Sequence, residues 1–262
     1  MKKNNKSYTI PDIRMTRPVM IHNKLLKKTI TIQQIETFSI GDCKISFSTP
    51  NNVSLFASIA KKEKQQAKNI FSSLITKAIS NTKELKISDK DTPRLFNYFE
   101  HIQSSIIAIY TALEAFANIA IPAEFTHTFK NSKGITETWD KKAIERWYKT
   151  SDKLCELLPK ILESESPKTM PNWSRFKELE NIRNDIIHQK TVPNDQDNKI
   201  DSNFLKKLLT SEIFNIIDSG FELISFFCEK DTSHAFFPIG FSETLLKPLE
   251  VNDFSEVIRP LT

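Results

Sequence analysis

The chain has 262 residues, of which 39% are hydrophobic and 26% charged, with 19 Phe and only 4 Gly. That length allows one large domain or one medium domain with appendages, and the phenylalanines supply a sizeable core. So few glycines exclude a Gly-rich sandwich and a doubly wound nucleotide fold with its glycine turns, while a formal net charge of +5 suits an anionic partner without demanding one.

The first dozen residues are polar and basic and read as loose. Strand signals follow. KTITI alternates, and FSI-GD-CKISF predicts two short strands around a Gly41-Asp42 turn. TPNN at 49–52 breaks the pattern and starts a helix. Residues 53–80 read as helical, with Leu55, Ile59, Ile70, Leu74 and Ile79 among lysines and glutamines. SDKDTP at 88–93 is a turn that places Pro93 in a first helical turn. The next helix carries Leu95, Phe99, Ile102, Ile106, Ile109, Leu113, Phe116 and Ala120 on one stripe, widened by Ile107, Tyr110 and Ile119. That width makes it the central helix, and Pro122 ends it.

HTFKNSKGITET reads as a polar connection to a helix over about 139–163, with Pro159 at a kink. SESPKTMPN is a loop, Trp173 to Gln189 a further helix, and TVPNDQDN its close. Phe204 to Phe227 forms a last amphipathic helix, and the Phe- and Pro-rich tail reads as irregular or short-helical. The fold expected is all-α: an up-and-down helical bundle with a small N-terminal β-containing appendage. The expected division is 1–52 for the appendage, 53–230 for the bundle and 231–262 for the tail.

Cys43, Cys155 and Cys228 are odd in number and widely spaced. They read as free, buried or half-buried thiols in a reducing compartment, not as a disulfide frame or metal set. The N-terminus MKKNNKSYTIPDIRM has no apolar core and is not a secretory signal. The most apolar run, Ile102 to Ala123, holds Gln103, Ser104, Ser105, Thr111, Glu114 and Asn118, too polar for a lipid-facing span. A cytoplasmic protein with no membrane partner is expected.

The chemistry concentrates in ENIRNDIIHQK at 180–190. On an ideal helix Phe176, Leu179, Ile182, Ile186 and Ile187 share a broad face, and Arg183 lies within it. A core-facing guanidinium needs a partner, because an unpaired buried charge costs several kcal/mol. Glu114 is the one charged residue in the apolar run of the central helix, so an Arg183–Glu114 bridge is expected, with or without chemistry. His188 sits roughly 140° around a straight helix from Arg183. It either caps a helix C-terminus or joins Arg183 through a turned-out last turn or a second subunit.

IRNDIIH resembles the Rx4H motif of HEPN domains (higher eukaryotes and prokaryotes nucleotide-binding), with Asn184 at the polar position that commonly follows the Arg. IYTALEAFANIAIP is similar to the first core helix of some bacterial members, and the resemblance covers roughly residues 92 to 230. It implies a bundle that dimerises and brings two motifs face to face. Many members are metal-independent ribonucleases of toxin or antiphage and stress-defence systems. Others are inactive modules that bind a protein or nucleotide, or neutralise toxins.

The residue types suit RNA cleavage. A base must take the ribose 2′-OH proton and an acid must protonate the leaving 5′-oxygen, and an imidazole with an ordinary pKa of roughly 6.5 does either. A fixed fork such as Arg183 stabilises the negative phosphorane-like transition state. Asn184 is expected to orient the phosphate or the histidine, and Glu114 to hold Arg183. Two His188 side chains from two subunits would divide acid and base, giving 2′,3′-cyclic phosphate and 5′-OH ends. RNA, a second copy and a cognate neutralising protein are the expected partners, and no cofactor or metal is expected. The rival expectations are a catalytically silent HEPN module and a structural helical protein. Lys61, Lys62, Lys64, Lys206 and Lys207 read as solvated helix faces, and the tryptophans as core. His22, His101, His127 and His234 lack metal-ligand spacing.

Overall fold

The computed structural model describes residues 9–76, 86–188, 202–230, 237–241 and 248–254. The expected looseness of the first residues falls largely outside them, as do the TVPNDQDN segment, the end of the 53–80 helix and most of the C-terminal tail.

The N-terminal part begins with β1 (Val19–Asn23) and β2 (Lys28–Ile32), an antiparallel pair. β3 (Ile35–Ile40) and β4 (Cys43–Ser48) form a hairpin around Gly41, whose φ of 58° lies in the left-handed region that glycine enters without a Cβ penalty. Strand pairing sets Phe38 opposite Ile45 and Ile40 opposite Cys43, so one face of this hairpin carries Phe38, Ile40, Cys43, Ile45 and Phe47, all exposed. Cys43 is therefore a surface thiol, whereas Cys155 and Cys228 are buried.

Helix α1 (Asn52–Ile70) starts at Asn51, whose Oδ1 accepts the backbone N–H of Ser54 at 3.0 Å, and it ends in a π-helical turn, Phe71–Thr76. Pro93 opens α2 (Thr92–Ile119). Then come β5 (Thr126–Lys130) and β6 (Thr136–Asp140), α3 (Lys141–Trp147), α4 (Thr150–Asp152), a π-helical turn (Lys153–Leu157) and α5 (Leu158–Ile161). Beyond a loop lie α6 (Trp173–Ile187), α7 (Ser202–Leu208) and α8 (Glu212–Lys230). Finally β7 (Leu249–Val251) pairs parallel with β1, so the tail returns to the N-terminal sheet and sets its order as β2-β1-β7.

The all-α expectation is corrected: the fold is mixed, with 54% of the described residues helical, 18% in strands, and three small sheets. The misread stretch is HTFKNSKGITETWD. It is a hairpin whose alternating Thr residues point outwards, while His127, Phe129, Glu137 and Trp139 point inwards. Asn131 Oδ1 accepts the N–H groups of Lys133 and Ile135 and so builds the loop, with Gly134 at φ 76°. Trp139 belongs to this strand and not to the following helix.

The core is built on α2. Tyr98, Ile102, Ile106, Ile109, Leu113 and Phe116 are fully buried, and each contributes roughly 1.5–3 kcal/mol through the apolar surface it removes from water. Small residues on α1, Ala57, Ala60 and Ala67, let α1 lie close along α2, and Ser105 Oγ donates to the Ala60 carbonyl at 2.8 Å across that contact. The opposite side of α2 receives Phe176, Leu179 and Ile182 of α6, and Ile217, Leu223, Ile224 and Phe227 of α8. Among the described helices α2 is the one long and apolar enough to cross a membrane, and 56% of its most apolar window is buried inside the protein, as a core helix requires.

Candidate functional site

Tyr110, Glu114 and Asn118 are spaced by four residues on α2 and so lie along one face. This polar stripe faces elements that bring polar partners. At one end α6 brings Arg183 and Glu180. At the other the π-helical turn brings Lys153.

The Arg183 guanidinium lies over the Tyr110 ring, with Cζ 4.9 Å from the ring centroid. This cation–π contact is worth about 0.5–2 kcal/mol and holds the guanidinium over the ring. Its Nη1 donates to Asn184 Oδ1 at 3.1 Å. Tyr110 donates its hydroxyl to Glu180 Oε1 at 2.9 Å, and the other Glu180 oxygen accepts from Lys177 Nζ. Burial first, and then the Glu180 charge, hold the Tyr110 phenol above its ordinary pKa, so it remains a donor.

The expected Arg183–Glu114 bridge is corrected. Among the described residues Arg183 makes no ion pair. Arg183 meets Tyr110, one helical turn before Glu114, and the nearby acid Glu180 is engaged by Tyr110 and Lys177. The charge of Glu114 acts instead on Lys153. Lys153 is 1% exposed, and its Nζ donates to Asn118 Oδ1 at 2.8 Å and to the Glu145 carbonyl at 2.9 Å. Burial pulls its pKa below the ordinary lysine value, while Glu114 and Glu145 oppose that shift. The ammonium is tolerated there because two acceptors and two carboxylates replace its water.

His188 follows the last residue of α6 as its C-cap, with φ −109° and ψ 48°, and its N–H donates to the Asn184 carbonyl at 2.8 Å. Its side chain is exposed. The straight-helix angle thus ends at Ile187. Asn184 links the motif: its side chain steadies Arg183, and its carbonyl closes the turn that presents His188. Among the described residues no hydrogen bond joins the side chains of Arg183 and His188 within one chain.

Two residues escaped the sequence reading. Tyr110 counted as a widening of the apolar stripe, although its phenol four residues before Glu114 was the available signal. Lys153 lies in the run read as a helix over about 139–163. A second cluster was also missed. His127, Phe129, Trp139 and Tyr148 pack edge to face or stacked, and Tyr148 donates to Glu156 Oε2 at 2.8 Å. Burial and the Lys160 charge lower the His127 pKa. The ligand atoms of Asp152, Cys155 and Glu156 lie within 4.8 Å of one another. Burial pushes the Cys155 thiol up, away from the thiolate a metal would take.

Tyr110→Phe keeps the ring under Arg183 and removes one buried hydrogen bond. It is expected to cost about 1–2 kcal/mol in urea unfolding and to leave any function of Arg183 intact. Tyr110→Leu also removes the platform, so it should impair any function of Arg183 beyond its effect on stability.

No protein-family model, no curated protein and no solved structure matches this chain.

Proposed function

We propose that the chain is a metal-independent ribonuclease of the HEPN type, cytoplasmic and acting as a homodimer in a defence or toxin-like role. The observation that carries this reading is the state of Arg183. It rests on an aromatic face and an amide oxygen, and no carboxylate among the described residues neutralises it. A purely structural bridge would have met an acid. A positioned, uncompensated guanidinium is the group that binds an RNA phosphate and stabilises the charge that grows on it. His188, exposed one turn beyond Asn184, is accessible to a 2′-OH or a 5′-oxygen.

One chain supplies one such imidazole, and the mechanism needs both a base and an acid. A second copy docked through the α6 face supplies the other. Sedimentation at micromolar concentration is accordingly expected to give a dimer, and a fully active monomer contradicts the arrangement. The lack of a hydrogen bond between Arg183 and His188 among the described residues of one chain favours a second reading, a silent HEPN module that binds a protein or a nucleotide. Incubating RNA with the purified chain in EDTA separates the two. Cleavage that Arg183→Ala abolishes supports the nuclease, and intact RNA supports the silent module.

A further inference from the structure

A cavity of about 590 Å³ lies where the N-terminal segment meets α1 and α8. Its walls include Arg14, Ser54, Lys61, Lys62, Phe221 and Phe241. We infer that it binds a small anion with a flat apolar body, of mononucleotide size. This inference is independent of the nuclease reading.

Ser54 provides the first argument. It lines the cavity at the start of α1 and is 5% exposed. Ser54 also lies in the first turn of the 19-residue helix α1, where the helix dipole favours negative charge.

Charge balance is the second argument. Four cations line the cavity, Arg14, Lys61, Lys62 and Lys64, against two carboxylates, Asp12 and Asp218. Arg14 takes up Asp12 and Lys64 takes up Asp218. Lys61 and Lys62 are exposed and make no ion pair among the described residues. Lys62 also attracts Asp12 at longer range, after the direct bonds from Arg14, and neither lysine is locked in a pair, so both can receive an anion. Lysines that read as a solvated face in the sequence therefore border a concave wall.

The third argument is the apolar side. Phe221 and Phe241 stack with an interplanar angle of 12°, and Ile13, 54% exposed, stands beside them. This wall suits a flat body, and the volume is in the range of small-ligand sites, roughly 300–1,000 Å³.

The test is titration calorimetry on the full chain with GMP, guanosine and inorganic phosphate, together with thermal unfolding. GMP is expected to bind saturably and raise the melting midpoint, and guanosine and phosphate to bind at least about tenfold more weakly each. The K61E/K62E double variant should lose GMP binding about tenfold or more with an unchanged ligand-free melting midpoint. No saturable GMP binding at millimolar concentration overturns the inference. Phosphate binding as tightly as GMP, or GMP binding unmoved by the double variant, overturns it equally.

Discussion

His188→Ala is expected to lower RNA cleavage by about 10²–10⁴-fold, the usual loss when an essential acid or base is removed. The fold should survive. The imidazole is exposed, and among the described residues the bond that fixes the residue is its backbone N–H to the Asn184 carbonyl, which alanine retains. The variant should therefore melt within about 0.5 kcal/mol of the parent, as surface substitutions do. A chelator should leave the parent's rate unchanged. Equal cleavage by the variant and the parent, measured on one RNA at one enzyme concentration, would move the chemistry away from this motif.

Gly220→Val is expected to produce the largest loss of stability. Gly220 lies on α8 where three helices converge. A Cβ there meets Ile109 Cγ1 at 2.5 Å and the methyls of Leu113 and Leu179 at 3.3 Å. All three neighbours are fully buried and have nowhere to retreat. Even alanine, which gains about 1 kcal/mol of helix propensity over glycine, should be a net loss, because overpacking a tight core costs typically 1–3 kcal/mol. The branched valine brings that to about 3 kcal/mol or more. Ile109→Ala opens space at the contact point, so the double variant should be less destabilised than the sum of the two singles. Additive effects would show that the clash lies elsewhere.

The central helix was legible because its apolar stripe runs uninterrupted from Leu95 to Ala120, and periodicity reports such a stripe well. The partner of Arg183 was not. Tyr110 and Glu114 lie one turn apart on one face, and a single-turn difference in how α6 sits along α2 decides which of them Arg183 meets. Sequence reasoning favoured the acid by charge, whereas the packing selected the ring. The β5–β6 hairpin hid because its outer face is threonine and its strands look polar, although the alternation of Thr126, Thr128, Thr136 and Thr138 carried a period of two. The helix read over Phe204 to Phe227 is two helices, divided around Thr210 and Ser211. Lys153 gave no sign of burial, because a lysine's depth depends on acceptors brought from other elements, here Asn118 and the Glu145 carbonyl.

The chemistry of the cut ends tests the account most directly. A base that deprotonates the 2′-OH, with no metal to deliver water, leaves a 2′,3′-cyclic phosphate on one fragment and a free 5′-OH on the other. RNA cleaved by the purified chain in EDTA should therefore accept a 5′-label from a polynucleotide kinase without prior phosphatase treatment. RNA treated with the His188→Ala protein should yield no such ends. Fragments bearing 5′-phosphates, or 5′-OH ends produced equally by the variant, would contradict the assignment of acid–base chemistry to His188.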